Sequence, residues 1–137
     1  MTIDGAFSAM TLAEWTLLGT VILYLLTIAP FKPLGYRDFD NSKPRDPAFY
    51  ATPLRARALG AHLNGIETFP FFAAAVLLAE FRHAPQHLLD ELAVVFLAAR
   101  VAYVVAYLAN LATLRTLIWN AGFAANLAIF LMPWWAR

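Results

Sequence analysis

A single all-α membrane domain of four transmembrane helices is the fold class predicted for this chain of 137 residues. Two observations carry the prediction. Apolar residues make up 61% of the chain and charged residues 14%, far from the roughly 25% charged residues of ordinary soluble domains. The apolar residues also gather into four runs, at about 15–31, 58–79, 88–111 and 116–135. Each run holds roughly 17 to 24 residues, which at about 1.5 Å per residue matches the ~30 Å hydrocarbon core of a bilayer. Helices that only line a soluble core are normally shorter and keep a polar stripe.

The first run ends at Pro30. The segment before it, Met1 to Met10, contains Asp4 and no Lys or Arg. It lacks the basic flank of a cleavable signal peptide, so the run is expected to be a retained membrane helix. The connection from Lys32 to about Leu54 is the only long one and is rich in turn formers, Asp38, Asp40, Asn41, Pro44, Asp46 and Pro47. Two roles are open to it: covering a site, as loops of this size often do, or serving as a solvated connector.

The second run is bounded by Arg57 and by Glu80-Phe81-Arg82 and contains Pro70, where a bend is expected. Membrane helices tolerate proline because neighbouring groups satisfy the freed carbonyl. Alanines at 73–75 in this run and at 98, 99, 102, 106 and 109 in the third would allow the two helices to pack closely. The fourth run follows a short turn, begins at about Thr116 and has Pro133 near its end.

Basic residues predict the orientation. Lys32, Arg37, Lys43, Arg45, Arg55 and Arg57 belong to the first loop and its flanks, and Arg115 to the third loop; the opposite side has Arg82 and Arg137. This asymmetry places the first and third loops in the cytoplasm and both termini outside. Trp15, Trp134 and Trp135 then fall at the outer interface.

Composition also narrows function. A net charge of +1 argues against nucleic acid as a partner, because phosphates require a concentrated basic surface. The chain has no cysteine, which removes disulfides, thiolate metal sites and a cysteine nucleophile. His83 and His87 stand four apart in the second loop without a third ligand nearby, so no metal is expected. No Ser-His-Asp set or phosphate-cradling glycine loop stands out, and His62 reads as structural.

The chemistry-bearing residues lie inside the apolar runs. At 100° per residue, Arg57, Gly60, Asn64, Glu67 and Phe71 share one face of the second helix, and Arg100, Tyr103, Tyr107 and Asn110 share one face of the third. Ionisable groups in hydrocarbon cost about 3 kcal/mol on insertion scales and normally face a protein interior or a polar cavity. Glu67 and Arg100 each stand about ten residues from the cytoplasmic end of their runs, roughly 15 Å deep, so they are expected to pair. Two readings follow: the pair is an internal bolt, or it floors a cleft lined by Arg57, Asn64, Tyr103 and Tyr107. Arg115 is either an interfacial anchor or a fixed charge that favours a bound thiolate. Thr116 is either a helix cap or a hydrogen-bonding partner for the same group.

Two motifs resemble the MAPEG family, the membrane-associated proteins in eicosanoid and glutathione metabolism. One is Arg57-x4-His62-x-Asn64-x2-Glu67 with Phe69-Pro70-Phe71, and the other is Arg100-Val-Ala-Tyr103-x3-Tyr107 followed by Arg115-Thr116. Asn41-Ser-Lys-Pro44-Arg45 is similar to bacterial members, and the resemblance spans about residues 10–135. It implies a homotrimer of four-helix protomers in the bacterial inner membrane, with glutathione bound between protomers near the cytoplasmic face. It implies Arg57, Asn64, Glu67, Arg100, Tyr103 and Tyr107 as ligand-binding residues. Arg115 matches the arginine associated with the thiolate, and Thr116 stands where a prostaglandin synthase of the family has serine. Tyr103 replaces a histidine, and the arginines that eicosanoid-pathway members carry at the positions of Gly60 and Leu63 are missing.

The function expected on this basis is a glutathione-dependent transferase or peroxidase acting on lipophilic small molecules. The alternatives are a non-catalytic scaffold of the same fold, or a small transporter of lipophilic cations with Glu14 or Glu67 as its proton-coupled carboxylate.

Overall fold

The computed structural model describes residues 10–32 and 37–136. The N-terminal segment with Asp4, and Arg137, lie outside the described residues. Four α-helices follow one another, α1 (Leu12–Ile28), α2 (Pro53–Phe81), α3 (Gln86–Leu108) and α4 (Ala112–Trp135), with a 3-10 turn at Ala29–Phe31 after α1. No strand occurs among the described residues. All four helices are long and apolar enough to cross a membrane, and the protein is an integral, multi-pass membrane protein.

The helix ends differ from the apolar runs for local reasons. Helix α1 starts at Leu12, three residues before the run, because Thr11 and Glu14 form a capping box: Thr11 Oγ1 accepts from Glu14 N, and Thr11 N donates to Glu14 Oε2 at 2.8 Å. Helix α2 starts at Pro53, a residue suited to the first helical position, and so takes in Arg55 and Arg57. Helix α3 stops at Leu108 because Asn110 adopts φ 61° and Leu111 N bonds back to Ala106 O at 2.9 Å, a left-handed helix stop. Asn110 therefore does not belong to the polar face of α3 expected for it. His83, at φ 54°, plays the same part between α2 and α3.

The core occupies the half of the bundle away from the first loop. Ala13, Phe72, Ala75, Val76, Ala79, Leu89, Ala93, Phe96, Ile129 and Met132 form one buried cluster, with Phe72 stacked on Phe96 at 3.9 Å between centroids. Ala75 and Ala106 are buried as expected of small packing residues, whereas Ala74, Ala98, Ala102 and Ala109 face outward. Polar contacts tie this end of the bundle. Thr11 Oγ1 donates to Glu80 Oε1 at 2.7 Å, and Ala13 N donates to Asp90 Oδ1 at 2.8 Å. Trp15, Trp134 and Trp135 lie at the same end and are exposed. In α1 the buried Thr16, Thr20 and Thr27 each satisfy their hydroxyl on a carbonyl three or four residues back.

At the opposite end the first loop folds onto α1 and α2. Phe49 and Tyr50 are buried against Ile28 and Ala58, and Arg55 grips Asp38 through two hydrogen bonds of 2.7 and 3.0 Å while donating to Phe49 O at 3.1 Å. The Arg55 guanidinium also lies 4.2 Å from the Phe49 ring centroid. Its hydrogen bonds hold the Asp38 carboxyl below its ordinary value. A carboxyl depressed in the fold contributes stability above its unfolded value of about 3.9 and loses it as pH falls through the lower folded value. Limited proteolysis of the loop is therefore expected to stay constant from pH 7 to about 4 and to accelerate only below that. Acceleration already between about pH 6 and 5 would contradict the Asp38 anchor.

Candidate functional site

The site is built where three helices present their polar faces toward one cleft. Asn64, Glu67, Thr68 and Phe71 come from α2, Phe96 and Arg100 from α3, and Trp119, Gly122, Phe123 and Asn126 from α4. They enclose about 240 Å³. Helix α4 contributes through a third stripe, Arg115, Trp119, Gly122 and Asn126, which alternates steps of four and three as the stripes on α2 and α3 do.

Arg57 sets the register of α2 against α3. Its Nε donates to Leu108 O at 3.0 Å, satisfying a carbonyl that the end of α3 leaves without a helical partner. Measured from that tie, Arg100 lies about 12 Å back along α3, Asn64 about 10 Å along α2, and Glu67 about 15 Å. Arg100 accordingly meets Asn64: Nη2 donates to Oδ1 at 2.9 Å. The expected pairing with Glu67 does not form. Glu67 stands about 3 Å deeper than Arg100 whereas Asn64 lies within about 2 Å of its depth, and the earlier start of α2 and earlier end of α3 produce that offset. Glu67 is exposed on the flank of the bundle while also bordering the cleft.

From Arg100 a continuous series of contacts leads away from the cleft to the loop end of the bundle; Arg57, Tyr103 and Tyr107, expected in the cleft walls, do not line it, and neither does Arg115. The Arg100 guanidinium lies 4.3 Å from the Tyr103 ring centroid, Tyr103 meets Tyr107 edge-on at 5.6 Å, and the Arg115 guanidinium lies 4.3 Å from the Tyr107 centroid. Such cation–ring contacts are worth up to about 2 kcal/mol when desolvated. Arg100 is 4% exposed, and among the described residues the only ion pair is that of Arg55 with Asp38. The floor of the cleft thus carries a buried cation that no carboxylate neutralises.

Gly60 explains how Tyr107 reaches across to α2. A Cβ at Gly60 would run into the Tyr107 hydroxyl and stand 2.9 Å from its Cζ. An arginine at this position is sterically incompatible with that placement of Tyr107. Leu63 lies on the other flank of α2, in a groove of about 420 Å³ shared with Lys32, Arg45, Tyr50 and His62. The described residues of the first loop line this second groove and not the cleft, and Lys32 and Arg45 supply cations there. Arg55 is occupied by Asp38 and Phe49.

His62 points away from the cleft, as expected from its place on the wheel: Nδ1 donates to Tyr24 O at 2.7 Å. Thr116 also stands apart. It is exposed and its hydroxyl donates to Ala112 O at 3.1 Å, which leaves it able to accept a hydrogen bond but not to donate one while that bond persists. Glu14, bound into the capping box of α1, is not available as a free carboxylate in the bundle.

Asn126, Trp119 and Phe123 were not among the residues singled out from sequence. Their signal was present as the third stripe, which shares one face with Arg115. A model of the MAPEG family matches residues 10–135. No curated protein and no solved structure matches the chain.

Proposed function

The chain belongs to the MAPEG family, and from that premise we propose that it is a glutathione-dependent membrane enzyme that presents a thiolate to lipophilic small molecules. The observation that carries this reading is the unneutralised Arg100 guanidinium, buried at membrane depth and lining an accessible cleft. A buried charge without a counter-ion is costly, and a ligand carboxylate would offset that cost. Glutathione has two carboxylates, one ammonium group and a thiol. Arg100, Arg57 and Arg115 are suited to its anionic groups, Asn64 to its peptide backbone and Glu67 to its amino end.

Each residue then has a physical task. Arg100 anchors a carboxylate, with Asn64 and Tyr103 fixing the plane of its guanidinium. Tyr107, wedged over Gly60, holds Arg115 by its ring face. The Arg115 charge favours thiolate over thiol, with the released proton passing to bulk water at the loop end, and the exposed Thr116 hydroxyl beside Arg115 accepts a hydrogen bond from the thiol before that transfer. A lipophilic electrophile arrives from the bilayer, where it partitions.

Glu67 supports a trimer in which adjacent protomers share the ligand. A carboxylate exposed toward acyl chains is expensive, and a second copy covering that flank removes the expense. The basic first and third loops support a cytoplasmic opening of the cleft in the bacterial inner membrane, on the side where glutathione is supplied.

Isothermal titration of the purified protein in detergent with glutathione tests the reading. Binding is expected for wild type, weakened about tenfold by Glu67→Gln, the scale of one hydrogen bond to a charged group. No heat at millimolar glutathione would remove the proposal. Binding without turnover across electrophiles and hydroperoxides would point to a scaffold instead.

A further inference from the structure

The cleft continues past the groups assigned above to a residue they do not use. Asn126 lines it, is 2% exposed, and its Oδ1 has no hydrogen-bond partner among the described residues. It stands about 16 Å along α4 from Arg115, at a depth where bilayer water does not satisfy polar groups. The intervening walls are apolar. Phe123 stacks on Trp119 at 5.4 Å and 3°, and Phe71 leans on Phe123 at 6.1 Å. The one hydroxyl in the lining, that of Thr68, already donates to Asn64 O at 2.9 Å. The other donors of the lining, Trp119 Nε1, Asn64 Nδ2 and the Arg100 guanidinium, make no hydrogen bond to Asn126 Oδ1.

Buried polar atoms in native proteins almost always have partners, and an amide oxygen requires a donor. The cleft volume of about 240 Å³ exceeds the ~150 Å³ that admits benzene, so one or two rings, or a short chain, fit between the aromatic walls. We propose that Asn126 is the specificity residue of an apolar subsite at the inner end of the cleft, and that this subsite takes lipophilic molecules presenting a hydroxyl-type donor (phenol, alcohol or hydroperoxide) to Asn126 Oδ1. Calling that molecule the co-substrate rests on the thiol-enzyme reading; the binding itself does not. Acceptor-only or purely hydrocarbon ligands leave Asn126 unpaired and are disfavoured, as sites built around a hydrogen bond reject analogues lacking it.

Titration of the detergent-solubilised full chain, without glutathione, with 1-naphthol and with 1-methylnaphthalene provides the test, after subtraction of partitioning into protein-free micelles. Wild type is expected to prefer naphthol by about tenfold, the scale of one hydrogen bond. Asn126→Leu removes both polar atoms at similar volume, so it is expected to keep or raise the thermal midpoint and to bind the two ligands equally. Asn126→Ala serves as a second variant with the same expectation of lost preference. A wild-type protein that binds neither ligand or shows no preference, or a variant that keeps the full naphthol preference, overturns the proposal. Because glutathione is absent from the titration, this result and the failure of the thiol reading are separable.

Discussion

Arg115→Ala is expected to lower kcat for glutathione addition to a lipophilic electrophile by about a hundredfold, or roughly 2.7 kcal/mol of transition-state stabilisation, the scale for removing one preorganised electrostatic contact. The KM for glutathione should change much less, because Arg100, Asn64 and Glu67 line the cleft and Arg115 does not. Arg115 is the cation stacked on Tyr107 at the loop end, and removing it leaves the ring and its Gly60 seat in place. Arg115→Lys retains charge but loses the planar stack, so it should recover only part of the rate. Steady-state kinetics in detergent decides the matter. A kcat within threefold of wild type would mean that the thiol sulfur lies elsewhere.

Gly65→Val is expected to destabilise the bundle by about 3 kcal/mol, at the upper end of the usual cost of overpacking. Gly65 is buried where α1 crosses α2, and a Cβ there would stand 2.8 Å from Tyr24 Cβ. Tyr24 Cβ is the first side-chain atom, so rotation cannot relieve the overlap and α1 must move. The movement would also strain the His62 bond to Tyr24 O and the edge-on contact of Tyr24 with Phe69 at 5.9 Å. Gly122→Ala is the control, since its Cβ would meet Ala99 Cβ at 3.4 Å, close to ordinary contact. The thermal midpoint in detergent should fall strongly for Gly65→Val and little for Gly122→Ala. Equal midpoints for the two variants would mean that the α1–α2 seam yields easily.

Much of the fold was legible because hydrocarbon imposes a simple rule: long apolar runs must be helices. The four runs correspond to α1 through α4, with shifts of up to five residues where capping and turn chemistry set the ends. Those shifts affected the site. The pairing of Arg100 with Glu67 depended on counting from helix termini, and hydropathy places termini only to within a turn. The tie from Arg57 to Leu108 O, which sets the true register, is a side chain to backbone contact across 51 residues of sequence. The wheel gathered Asn64, Glu67 and Arg100 at one cleft, because helical periodicity is local, but Arg57, Tyr103 and Tyr107, expected in its walls, do not line it. It misplaced Asn110, whose left-handed conformation ends the helix. Asn126 escaped notice for another reason: a lone amide in an apolar run carries meaning only when the stripes on α2 and α3 are known to face it.

The account turns on whether the cleft of this chain ionises glutathione, and difference ultraviolet absorbance of the thiolate on adding glutathione to the detergent-solubilised protein measures that directly. At neutral pH the thiolate band should rise and saturate with wild type, and stay at the free-glutathione baseline with Arg115→Ala. A baseline spectrum for wild type at saturating glutathione, or an equal rise in the Arg115→Ala protein, would contradict it.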